Sequence, residues 1–224
     1  FYLAIIFLLL CMQHFIFDLD GTISNPEVGI VNGYKYTFDK LQMPIPEHPE
    51  LLKLIGPPLR NVFRDMYGFS EDDTNHAISV YREYYNQLGG LYENDLFEGM
   101  DNLFSSLTQK NKTLHIATFK GAAVDIILKH FNIVKHFKHV LFYNEASNMI
   151  TKEKMIEHIM EHENTTDKNN VVMIGDRMHD LLAAKNVGVK SVGVLYGFGS
   201  LEEITACEPD FIAKNVEELH SILH

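Results

Sequence analysis

Hydrophobic and polar positions divide this chain into two textures. Short, nearly unbroken apolar runs occur at Phe15-Ile16-Phe17, Leu114-His115-Ile116-Ala117, Val171-Val172-Met173-Ile174 and Ser191-Val192-Gly193-Val194-Leu195, and each gives way to Asp, Thr or a Gly-containing turn. Runs of this length between turn residues are the pattern of strands buried on both faces. His139-Val140-Leu141-Phe142-Tyr143 predicts one more strand. Amphipathic segments lie between them: Gly121 to Phe131, Thr151 to His162 and Met178 to Asn186, the last stopping at Val187-Gly188. That alternation predicts an α/β fold built on a doubly wound parallel sheet.

The second texture runs from about Pro26 to Asn94. Ile30-Tyr34-Phe38-Leu41, Leu51-Leu52-Leu54-Ile55, Leu59-Val62-Phe63-Met66 and Ile78-Tyr81-Tyr85 recur at helical spacing, with no strand pattern among them. This predicts an all-helical domain over residues 25–94, inserted into a core made of residues 12–24 and 95–224. Residues 1–11 are almost wholly apolar, yet too few to span a bilayer and without a basic flank or cleavage site. We expect Met12 to be the natural start and residues 1–11 to come from an upstream extension of the reading frame.

Composition narrows the function. Thirty acidic against nineteen basic residues give a formal charge of −11, and the lack of a dense basic run argues against a nucleic-acid polymer as partner. Cys11 and Cys207 are far apart and match no zinc or redox spacing, so a reducing, cytoplasmic setting without membrane attachment is expected. Of the twelve histidines, His158 and His162 share a helical face and His136 and His139 are near neighbours, but neither pair has evident further ligands. They read as solvated side chains.

The chemistry gathers at strand ends. Asp18 and Asp20 follow the first strand, with Gly21 directly after them; paired acids repel, so they call for a cation or a shared proton. If the strands are parallel neighbours, Thr118 and Asp176 lie on the same sheet edge, and Asp180 sits one helical turn past Asp176. An all-oxygen cluster of this kind suits Mg²⁺. Lys152 opens a helix and supplies a positive clamp for an anion, with Lys154 its rival. Placing Lys152 at the helix start puts Met155 and Ile156 on the buried face, which favours it. Nucleophile, metal site, proton donor and clamp are together the parts of a phosphoryl-transfer site.

In this order the residues resemble the haloacid dehalogenase superfamily: Asp18-Leu19-Asp20-Gly21-Thr22-Ile23, then Thr118, then Lys152, then Gly175-Asp176-Arg177-Met178-His179-Asp180. The resemblance implies that Asp18 is a nucleophile forming an aspartyl-phosphate and that Asp20 is the general acid and base. It assigns Mg²⁺ to Asp18, the backbone carbonyl of Asp20 and Asp176, with Asp180 in support, and the phosphoryl group to Thr118 and Lys152. The helical insertion is similar to the cap of phosphoglycolate phosphatases and 5′-nucleotidase-like members, where Gly56-Pro57-Pro58-Leu59-Arg60 would bring Arg60 to substrate. Phe119 stands where many relatives carry Asn, which leaves the substrate open. The expected activity is hydrolysis of a small phosphorylated metabolite by a monomer or homodimer. Phosphoglycolate, a nucleotide, pyrophosphate or a sugar phosphate all fit; a sugar phosphomutase and a non-catalytic binding module are the alternatives.

Overall fold

The structure, a computed structural model, describes residues 12–224; the expectations on residues 1–11, Cys11 included, lie outside them. The described chain forms two compact units, Asn25–Asp95 in one and the residues up to Ser24 with Leu96–His224 in the other.

The larger unit is built on strand β1 (His14–Phe17), followed at the margins of the insertion by two-residue strands β2 (Ser24–Asn25) and β3 (Asp95–Leu96), which pair with each other. Then come β4 (Thr113–Thr118), β5 (Phe137–Phe142), β6 (Val171–Gly175), β7 (Lys190–Val194) and β8 (Phe211–Ala213). The main sheet has the order β5-β4-β1-β6-β7-β8, parallel throughout. The chain is thus α/β, with β1 central and flanked by β4 and β6. Strand β8 has no counterpart in the apolar runs because it is only three residues long.

Within the insertion, helices α1 (Glu27–Lys40), α2 (His48–Leu52), α3 (Leu59–Asn61) and α4 (Glu71–Arg82) enclose an aromatic interior. The Tyr34 ring lies 5.0 Å from Tyr81 and 6.0 Å from Phe63. Met66, expected on the same stripe as Val62 and Phe63, is exposed instead; Val62–Met66 forms a wider π-type turn, which rotates its last residue away from the interior.

Helices α5 (Met100–Gln109), α6 (Val124–His130), α7 (Lys152–His162), α8 (Met178–Val187), α9 (Leu201–Ala206) and α10 (Val216–Leu223) belong to the core. Helix α6 begins three residues later than its pattern predicts, because Gly121 takes a left-handed conformation (φ 76°) that keeps the turn out of the helix. Alternation along β1 decides which side chain faces which layer. Ile16 packs with Met155, Ile156 and Ile159 of α7 and Ala183 and Ala184 of α8, while Phe17 points the other way, edge-on to Phe104 of α5 at 5.5 Å.

Histidines also pack against the sheet, and His136 and His139 are not simply solvated as the sequence suggested. His115 is fully buried, its ring stacked 5.3 Å from that of His139 on the neighbouring strand. The His136 side chain is only 7% exposed and faces Asp101, on a different partner from His139. Burial, helped by His14, His139 and Lys138 and opposed by Glu163, lowers His115 from 6.5 to about 3. In that interval the unfolded chain binds the extra proton, so stability falls as pH drops. With chelator present, the urea midpoint should decline from about pH 7 to about pH 5, and His115→Leu should flatten that slope. An unchanged slope in the variant would show that other groups carry it.

Candidate active site

The polar residues at the C-terminal ends of β1, β4 and β6 are drawn together because the three strands are parallel neighbours. Asp18 directly follows β1, its backbone N–H donating to the carbonyl of Ile174 on β6 at 2.9 Å. Asp176 directly follows β6, and Asp180 is in the first turn of α8. Asp18, Asp176 and Asp180 are all buried, and one carboxylate oxygen from each lies within 4.8 Å of the others.

Each acid is held by its own contacts. Asp176 accepts hydrogen bonds from the Phe198 backbone N–H at 2.8 Å and from Thr22 Oγ1 at 3.4 Å. Gly21, at φ 81°, allows the approach: a Cβ there would collide with the Asp176 carboxylate. Asp180 accepts from the Arg177 backbone N–H at 3.3 Å, which fixes it at the start of α8. Burial, compounded by Asp18 and Asp180, pushes Asp176 well above the usual carboxylate range. Burial likewise raises Asp180 to about 7, although Lys152 works against it. Such a trio is costly when fully ionised, and a divalent cation among the oxygens removes that cost.

Lys152 is 2% exposed and is the first residue of α7, whose N-cap is Thr151. Its Nζ lies 2.8 Å from Asp18 Oδ1 and 2.7 Å from Asp180 Oδ1, and donates to the Ala117 carbonyl of β4 at 2.7 Å. Burial alone would lower its pKa, but the two carboxylates more than offset this and raise it. The ammonium also sits 5.1 Å from the centre of the Phe119 ring. Lys154 takes part in the cap through its backbone, its N–H donating to Thr151 Oγ1.

Thr118, buried at the end of β4, accepts a hydrogen bond from the Lys120 backbone N–H at 3.2 Å. Lys120 is a residue that the sequence reading passed over. Its Nζ donates to Asp20 Oδ2 at 2.9 Å, with both side chains largely buried. Burial raises Asp20 above the usual carboxylate range while Lys120 restrains the rise. The signal was available: Lys120 lies two residues past Thr118 on a strand next to β1, as Asp20 lies two past Asp18. Arg60 belongs to the helical unit, where its guanidinium contacts Glu71 and reaches Asn75 Oδ1 at 3.0 Å.

A family model for haloacid dehalogenase-like hydrolases matches residues 15–194, from β1 through β7. The chain belongs to this family. Relatives of this haloacid dehalogenase-like hydrolase match it over nearly its whole length. It is 37% identical over 209 residues to a 5′-nucleotidase from Pseudomonas aeruginosa, covering 93% of this chain and 94% of that protein. It is 30% identical over 214 residues to the tyrosine-protein kinase PtkA of Mycobacterium tuberculosis, covering 94% of this chain and 72% of that one. The crystal structure of a predicted phosphatase from Clostridium acetobutylicum superposes with a TM-score of 0.87 at 34% identity, covering 94% of this chain and 97% of the other. Among the described residues of this family member, no helix is long and apolar enough to cross a membrane.

Proposed function

We propose that this haloacid dehalogenase-like phosphatase is a Mg²⁺-dependent enzyme that hydrolyses a small phosphomonoester through an aspartyl-phosphate on Asp18. The observation that carries the reading is the burial of Asp18, Asp176 and Asp180 around one point, with the Lys152 ammonium against two of them. Their all-oxygen donor set fits Mg²⁺, held by Asp18, Asp176 and the Asp20 backbone carbonyl with Asp180 in support. When bound, Mg²⁺ offsets the negative charge of phosphate and nucleophile.

In this reading the Asp18 carboxylate attacks phosphorus, and Asp20 protonates the leaving oxygen of the ester. Asp20, now ionised, then takes a proton from the water that cleaves the acyl phosphate, releasing inorganic phosphate and restoring Asp18. Lys120, donating to Asp20 Oδ2, holds the carboxyl in one orientation for both transfers. Lys152 and Thr118 stabilise the oxygens of the transferring group. The helical unit is the cap, and substrate choice resides in its side chains. Arg60→Ala is expected to raise KM several-fold with little change in kcat; an unaltered KM would remove Arg60 from the substrate contacts.

The likeness to a 5′-nucleotidase puts nucleoside 5′-monophosphates first among the substrates. Phosphate release should be measured from AMP, phosphoglycolate, pyrophosphate and glucose 6-phosphate, each with Mg²⁺ and with chelator. Mg²⁺-dependent release, fastest from the nucleotide, is the expected result. Release from none of the four would overturn the reading, and isomerisation of the hexose phosphate would point to a mutase. The likeness to PtkA supplies a second reading, phosphoryl transfer from ATP to a tyrosine hydroxyl; labelled ATP and a tyrosine-containing acceptor test it directly.

A further inference from the structure

At the opposite end of the same sheet the structure gathers a second set of potential metal ligands: His14 opening β1, His115 within β4 and Glu163 just past the end of α7. We propose that these three side chains form a metal site for a borderline ion of the Zn²⁺ class, separate from the acidic cluster. His14 and Asp18 are four residues apart on one extended segment, so the two sites lie roughly 13 Å from each other along the strand.

The geometry suits the ion. His14 Nδ1 and His115 Nε2 face each other at 3.4 Å, and Glu163 Oε2 lies 3.9 Å from His14 Nδ1. Ligands about 2.0–2.1 Å from a tetrahedral Zn²⁺ are separated by roughly 3.4 Å. The histidine pair already has that spacing, and the carboxylate oxygen needs to close by about 0.5 Å to reach it. Three protein ligands leave the fourth position to water. Two imidazoles and one carboxylate select an ion of this class over Mg²⁺.

The charge states are also appropriate. Burial lowers both His14 and His115, which keeps their rings neutral and their lone pairs available. Burial acts to raise Glu163, but hydrogen bonds from Lys138 and His139 more than offset it and hold the group ionised. His139 Nε2 donates to Glu163 Oε1 at 2.7 Å, which orients the carboxylate from outside the ligand set. Lys138 Nζ donates to Oε2 at 2.7 Å, and its side chain is 57% exposed, so it can yield that oxygen to the ion and move into solvent. His115 is fully buried, and its Nε2, the nitrogen that faces His14, is the one placed to ligate.

The test uses the full chain, stripped of metal by chelator and re-equilibrated with Zn²⁺ or Co²⁺ in saturating Mg²⁺, which occupies the acidic cluster. Wild type should retain about one equivalent of Zn²⁺ after desalting, melt at a higher temperature with it, and show the intense visible bands of tetrahedral Co²⁺. His14→Gln should lose all three signals while retaining Mg²⁺-dependent phosphate release. Its zinc affinity should fall by more than the roughly 10–100-fold that follows loss of even an outer-sphere partner. Glu163→Gln repeats the test should His14→Gln fold poorly. Asp176→Asn should still bind zinc. No zinc on wild type, zinc retained by both site variants, or zinc lost in Asp176→Asn would each overturn the proposal. The zinc stoichiometry, the melting shift and the Co²⁺ bands do not depend on the substrate assignment.

Discussion

Asp18→Asn should lower turnover by roughly 10⁴-fold or more while leaving the protein folded. The replacement keeps the shape of the side chain, so the Lys152 ammonium still finds an oxygen at that position as well as Asp180 Oδ1 and the Ala117 carbonyl. An amide oxygen is a poor nucleophile, and the aspartyl-phosphate cannot form on it in the same way. Stability should hold or rise slightly, because the charge removed is one that raises the pKa of both Asp176 and Asp180. The measurements are kcat on the fastest substrate of the panel, acid-quench trapping of phosphoenzyme, and calorimetry. Turnover within tenfold of wild type, or an undiminished phosphoenzyme signal, would dismiss Asp18 as the nucleophile.

Lys152→Ala should be the most destabilising change in the core site. Removing one partner of a buried ion pair costs about 3–5 kcal/mol, and Lys152 serves two carboxylates and a backbone carbonyl at once. The loss should depend on pH. Asp180 is raised from 3.8 to about 7, chiefly by burial, while Lys152 holds it down. Between those values the folded state binds the extra proton, so this group makes the protein less stable as pH rises. Without Lys152 the folded pKa climbs further. The deficit of the variant against wild type, measured by urea unfolding with chelator present, should therefore be largest above about pH 7 and shrink on acidification. Lys154→Ala, altering no contact of the acidic cluster, should stay within about 0.5 kcal/mol of wild type. Turnover should fall far more for Lys152→Ala than for Lys154→Ala; the reverse would move the phosphate clamp to Lys154.

Much of the core was legible because its signals are local. Phe15-Ile16-Phe17 and Val171 to Ile174 are apolar on both faces, the mark of interior parallel strands, and the acids that follow them end up on one edge once the strands are parallel. The position of Lys152 at the start of α7 also followed from local periodicity, since Met155 and Ile156 fix the phase of the helix. What escaped is set by register between distant segments. His14 and His115 are 101 residues apart, and nothing near either one marks it as a neighbour of the other. The Lys120–Asp20 pair, 100 residues apart, is of the same kind. Strand β8 escaped for the opposite reason, being local but too short to form a pattern.

Helix α7 presents a cation at its first residue to Asp18 and an anion just past its last to the histidines of β1 and β4. Its eleven residues measure about 16 Å, and adding one would turn everything beyond it by about 100°. Lys152 and Glu163 could not then both keep their stations. The helix is in effect a ruler with two marked ends: its exposed positions, Glu157 and Glu161, can change freely, whereas its length and phase cannot. A one-residue insertion anywhere along it, however conservative in composition, would force the chain to give up one end of the sheet or the other.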